Sequence, residues 1–220
     1  LGSQMFSFFK RFLKDADLLD DNGFTRFAEI ISDIGLDENL SWALMLANLA
    51  YNPQIGWYIC NISFGETMSK EYVCSMLVDS GADEKWVNDV WSSLARILDL
   101  PFSHVGLGEM VKEKNKAVAL YRTGWQVPDE RVILYSLYQF SEKCGNFKQF
   151  TLTRLLDTSI ESDGISPTQI FGLNRDTMEK VLNGLTFNYP DLIEARFTLG
   201  LDNITLKSDK SAEEILNELF

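Results

Sequence analysis

The chain has 220 residues and a mass of 25.1 kDa, enough for one sizeable domain or two small ones. Hydrophobic residues make up 45% and charged residues 24%, the composition of a globular chain and not of a disordered one. The net charge of −12, from 20 basic and 32 acidic side chains spread along the whole length, opposes broad binding to phosphate backbones or anionic lipid and leaves room only for small local contacts.

Leu1 to Gln4 read as a tag remnant ahead of a start at Met5. Phe6 to Leu19 is expected as a short amphipathic helix, with Phe8, Phe9, Phe12 and Leu13 on one stripe and Lys10, Arg11 and Lys14 beside it. A second helix spans Phe24 to Ile34 and stops at Gly35. A third, capped by Asn39 or Ser41, runs to Ala50 and ends at Asn52-Pro53. Gly56 to Ile62 continues the helical packing, with a strand as the alternative. Residues 5–62 thus form a helical lead section.

From residue 63 the order becomes helix, turn, helix, hairpin. Ser69 precedes a helix broken by Gly81, and Asp83 opens a longer helix carrying Trp86, Val87, Val90, Leu94, Ile97 and Leu98, which Pro101 stops. Val105 to Met110 and Val118 to Tyr121 are read as two strands around the charged tip Lys112–Lys116. That is the layout of a winged-helix module over 63–125. After the boundary at Trp125–Asp129 comes a long helix using Val132, Ile133, Tyr135, Leu137, Tyr138 and Phe140. The same pattern then returns: a short helix over 150–156, Ser166-Pro167 opening a helix to Phe171, and Asn174 capping Arg175 to Leu185. Strands follow at Ile193–Thr198 and Asn203–Lys207, with a turn over 199–202. This gives a second winged-helix module over 126–208 and a tail helix over 209–220. The expected fold class is mainly α with short antiparallel β-hairpins, a helical lead section followed by tandem winged-helix modules.

Residues with a chemical role are sparse. No stretch is long and apolar enough to span a membrane, no signal-peptide pattern is present, and the expected location is cytoplasmic. Cys60, Cys74 and Cys144 are distant from one another and odd in number, so neither a disulfide framework nor a zinc ribbon follows. His104 is the only histidine and has no nominated orienting group or nucleophile. Gly106-Leu107-Gly108 lacks the rest of a phosphate-binding loop and reads as a turn into the hairpin. Asp15 with Asp17, Asp20 with Asp21, and Glu161 with Asp163 are acidic pairs able in principle to bind magnesium, without a distinctive partner set. No catalytic residue, metal site or cofactor is assigned.

Two groups remain. Lys112, Lys114, Lys116 and Arg122 concentrate positive charge at the first hairpin, where a wing touches the DNA backbone. Asn174, Arg175 and Lys180 offer a weaker base- or phosphate-contacting face, braced by Ser166, Thr168 and Gln169 and extended by Arg154 and Arg196. The helix over 83–98 is a poor groove reader because Asp83, Glu84 and Asp89 oppose Lys85 and Arg96. Separately, Phe6, Phe8, Phe9 and Phe12 put four phenylalanines into one short helix, which points to docking on another domain, a protein partner or a second subunit.

The segments Gly124–Tyr135 (GWQVPDERVILY) and Asp163–Leu173 (DGISPTQIFGL) resemble an uncharacterised bacterial family. Its members are similar to proteins found beside phosphosulfate-reductase-like and DNA-modification genes in anti-phage defence clusters. The likeness covers most of residues 40–220 and implies a DNA-related accessory role, with no site residues to carry over. The leading expectation is a non-catalytic protein that binds DNA or a DNA-processing complex in phage defence. An acidic winged-helix adaptor without direct DNA contact comes next, and a metal-dependent nuclease last.

Overall fold

Short polar side chains start most of the helices. In the computed structural model, which describes residues 3–99, 101–160, 162–198 and 201–220, helices α1 (Ser3–Asp15), α2 (Arg26–Ile34), α3 (Asn39–Leu49) and α4 (Pro53–Asn61) build the lead section. Thr25 accepts from the Ala28 amide to start α2, and Gly35, at φ 94°, ends it. Asn52 caps α4 with Pro53 in its first turn, so Asn52-Pro53 begins a helix as well as ending the one before. Neither Asn39 nor Ser41 caps α3: the Ser41 hydroxyl is buried and donates to the Gly35 carbonyl. Helix α1 stops at Asp15, four residues short of the expected Leu19, because Asp17 turns the backbone to φ 61° and Leu19 bridges to Phe24. Ser3 and Gln4 lie in α1, while Leu1 and Gly2, the rest of the expected tag remnant, are outside the described residues.

Two small antiparallel sheets follow, with helices between their strands, so the chain is mainly helical with three-stranded sheets. The first sheet contains β1 (Thr67–Ser69), β2 (Glu109–Glu113) and β3 (Lys116–Tyr121), with α5 (Lys70–Asp79) and α6 (Val87–Ile97) between β1 and β2. After α7 (Glu130–Lys143), the second contains β4 (Gln149–Thr151), β5 (Ile193–Thr198) and β6 (Leu201–Leu206). Helices α8 (Leu152–Leu156), α9 (Pro167–Phe171) and α10 (Arg175–Asn188) come between β4 and β5, and α11 (Ala212–Leu219) closes the chain. The strand orders are β1-β3-β2 and β4-β6-β5: in both, the last strand lies between the other two.

The strands correct three expectations. Residues 102–105 form a 3-10 turn, and Gly106 and Gly108 at φ 89° and 130° swing the chain into β2, which starts four residues later than expected. The turn between β2 and β3 is Lys114-Asn115 alone, both with positive φ, so Lys112 and Lys116 belong to strands. Phe150, expected in a helix, is in β4 and pairs with Ile204. The tip of the second hairpin, Leu199 and Gly200, lies outside the described residues.

Helix α3 is the centre of the core. It buries Ser41, Ala43–Ala47 and Leu49, and it packs on α2, α7, α9 and the 3-10 turn at Phe102–Val105. A helix that is apolar all round must be covered on all sides, and α3 receives cover from the lead section and from both sheet-bearing parts. Trp125, at the expected boundary, is buried: its amide donates to the Phe171 carbonyl and its ring lies 5.2 Å from that of Phe171.

Candidate functional site

The basic positions are dispersed and mostly engaged. Lys112 Nζ sits 2.8 Å from Asp99 Oδ1, which neutralises it. Lys114 and Lys116 are exposed, and no ion pair involves them among the described residues. Arg175 pairs with Glu179 at 3.3 Å and Asp202 at 3.6 Å, and donates to Thr153 Oγ1. The Asn174 side chain is spent on the Thr177 amide as the cap of α10. Arg154 is half-buried in α8, Lys180 is exposed on α10, and Arg196 pairs with Glu194. Ser166 and Thr168, expected to brace a DNA backbone, are buried and turned to the Leu155 carbonyl.

Arg122 is a correction. It is 3% exposed and cannot reach a phosphate. Its Nη1 donates to the carbonyls of Ile59 and Ile62 at the end of α4, and its Nη2 to that of Gln169 in α9. The Tyr58 ring lies 5.7 Å away. Burial pulls its pKa below the ordinary guanidinium value, with Tyr58 and Cys60 acting the other way. The cation is therefore solvated by backbone oxygens at helix ends, where the macrodipole is negative. The alternation of β3 carried the signal: Arg122 is two residues beyond the buried Leu120 and takes the same inward side.

The aromatic positions make a surface. In α1, Phe6, Phe8 and Phe9 are 63%, 73% and 58% exposed, while Phe12 is half-buried against the core. Phe8 lines a groove of about 620 Å³, together with Ile55 and Trp57 of α4, Leu77 of α5, Trp86, and Val90 and Leu94 of α6. Trp57 is fixed there, its indole N–H donating to Ser80 Oγ at 2.9 Å, while Trp86 is 57% exposed. A second groove of about 660 Å³, bordered by Leu13, Phe24, Ile31 and Leu36, places two more exposed apolar side chains, Phe24 and Leu36, in the same lead section.

Metal chemistry finds no support in the geometry. Among the described residues no group of three or more His, Cys, Asp or Glu side chains is placed to hold an ion. Asp15 accepts from Asn52, Asp20 from the Asn22 and Gly23 amides, and Asp21 from Lys14. Glu161 lies outside the described residues. His104 is exposed, and no side-chain hydrogen bond orients it among the described residues. No described helix is long and apolar enough to cross a membrane. Comparison of the chain with protein-family models, with curated proteins and with solved structures finds no match.

Proposed function

We propose that this chain is a non-catalytic adaptor in which two winged-helix modules and a helical lead section present an aromatic docking surface to a protein partner. The order strand, helices, hairpin, with the last strand central in each sheet, supports the winged-helix reading of both modules. The observation that carries the docking role is the exposure of Phe6, Phe8 and Phe9 on α1, with Phe8 lining the groove that also holds Trp86. Uncovered aromatic side chains of this size are what interfaces bury at their centres.

A direct DNA role is the second reading and rests on Lys114, Lys116, Arg154 and Lys180. Each unpaired phosphate contact adds to affinity and to its salt dependence, and four scattered cations on a chain of charge −12 make a small footprint. The resemblance to proteins near DNA-modification genes fits an adaptor that works beside a DNA-processing complex without gripping the duplex.

The adaptor reading predicts that Phe8→Glu with Trp86→Glu will melt like the wild type, since both side chains are exposed, and will lose a crosslinked cellular partner by about tenfold or more. Equal recovery of that partner overturns it. A labelled duplex should show no anisotropy change even at low salt. Salt-sensitive binding abolished by Lys114→Glu with Lys116→Glu would move the assignment to DNA.

A further inference from the structure

We propose that the cavity beside Arg122 binds a small organic acid, its carboxylate held by the guanidinium and its apolar body by the surrounding walls. The proposal is independent of the aromatic surface.

The buried cation is the first observation. A guanidinium carries five N–H donors. Arg122 spends Nη1 on the carbonyls of Ile59 and Ile62 and one Nη2 hydrogen on that of Gln169. Its buried Nε–H has no acceptor among the described residues. Nε and Nη2 share one edge of the guanidinium, and such an edge grips a carboxylate through two parallel hydrogen bonds. The three carbonyls therefore satisfy part of the group and leave its charge without a counter-ion. A buried charge in that state is costly, and an incoming anion removes the cost.

The cavity is the second. Arg122 lines a space of about 310 Å³ to which α4, the segment after α8, α9 and the start of α10 contribute. The chain has 32 acidic side chains, yet none lines it. Gln169 and Asn174 do line it. Their side-chain oxygens are taken, by the amides of Ser166 and Thr177, while their NH2 groups have no acceptor among the described residues. Asn174 also caps the 14-residue α10, which brings the positive end of that helix to the cavity. Asp157, next to the lining residue Thr158, is spent on the amide and hydroxyl of Ser159. The side chains around the space thus offer donors, hydroxyls and a thiol, and no competing anion.

The walls select the rest of the ligand. Phe64, 46% exposed, lines the cavity with Leu156 and Leu173. A bare inorganic anion leaves these side chains uncovered, whereas an acid with a ring or branched chain covers them. The volume stands at the low end of ligand pockets, roughly 300–1,000 Å³, and suits a small acid better than a nucleotide. A duplex phosphate, fixed to its bulky backbone, stays outside.

Titration of the full chain, labelled with nitrogen-15 arginine, with 3-phenylpropionate tests this. The Arg122 Nε–H resonance should move downfield on gaining an acceptor and saturate with a dissociation constant on the order of a millimolar or below. The melting temperature should rise with the same concentration dependence. Two controls, 3-phenylpropanamide with the same shape and no charge, and inorganic phosphate with no apolar body, should each bind about tenfold more weakly or worse. Arg122→Met is a poor test, because loss of its three carbonyl contacts destabilises the chain whether or not a ligand exists. Thr158→Trp and Ser63→Trp serve instead. Both positions are exposed lining residues whose hydroxyls make no hydrogen bond among the described residues, so the variants should melt like the wild type. Filling the entrance should weaken binding about tenfold or more. A short peptide ending in a phenylalanine with a free carboxylate separates two sources of the same chemistry: affinity matching 3-phenylpropionate assigns the cavity to a polypeptide C-terminus, and weaker binding assigns it to a free acid. An Nε–H resonance and a melting temperature unmoved up to about 20 mM 3-phenylpropionate overturn the proposal. So do equal binding of the amide or of phosphate, or binding undiminished in both tryptophan variants.

Discussion

Arg122→Met is expected to cost about 3–5 kcal/mol, at the upper end for a single substitution. The methionine keeps the stem but leaves the carbonyls of Ile59, Ile62 and Gln169 without their donor. Charged donors contribute about 1.5–3 kcal/mol per hydrogen bond, and a buried acceptor left unmade costs about 1–3. Against that, removing the cation relieves a desolvation penalty of several kcal/mol that no carboxylate offsets. With three acceptors orphaned at once, the loss exceeds the relief. Since α4 lies in the lead section and α9 follows β4, the guanidinium also ties distant parts of the chain together. Arg122→Lys should recover only a fraction, because an ammonium lacks the planar fork. The melting temperature of the methionine variant should drop by roughly 10 °C, taking about 2–4 °C per kcal/mol for a chain of this size. A drop of under about 2 °C would mean that these carbonyls find other donors.

The second large effect is expected at Gly124. Its φ is ordinary, so alanine there meets only a steric objection: the new Cβ would collide with the Gly172 carbonyl oxygen and lie 2.7 Å from the Phe64 ring. One of these neighbours is backbone and cannot rotate away. Overpacking usually costs about 1–3 kcal/mol when side chains can adjust, and here about 3 kcal/mol or more is expected. Gly145→Ala provides the contrast. Gly145 sits at φ 81° after α7 with nothing within 4 Å of an added Cβ, so its cost is conformational alone, about 1 kcal/mol. Urea unfolding of the two variants side by side separates close approach from backbone preference. Equal losses would show that the chain crossing at Gly124 and Gly172 is loosely packed.

The helices were legible because their starts are encoded locally. Asn174, expected as a cap, is one, and Ser69 and Ser166, expected at helix starts, cap α5 and α9. The three-residue strands β1 and β4 were not legible, since three residues carry no alternation and each runs straight into a helix. Their pairing is set by a partner strand far along the chain, at Leu120 for Met68 and Ile204 for Phe150. At the candidate sites, the exposed phenylalanines of α1 were readable because that helix holds more aromatic surface than its own packing consumes. The basic cluster was misleading because proximity in sequence says nothing about partners: Asp99 reaches Lys112 across 13 positions, and Asp202 reaches Arg175 across 27.

Helix α3 and helix α1 should stand far apart in exchange protection, since α3 is mostly buried and Phe6, Phe8 and Phe9 of α1 are exposed. Amide exchange in α3, seven of whose eleven residues are buried, should require global unfolding, whereas the amides around Phe6–Lys10 should exchange through local fraying in a fraction of that time. Any occupant of the aromatic surface, identified or not, should therefore write its footprint as slowed deuterium uptake in α1 and at Trp86, with α3 as an invariant internal clock. Uptake in α1 that stays fast under conditions of proven association would place the contact elsewhere.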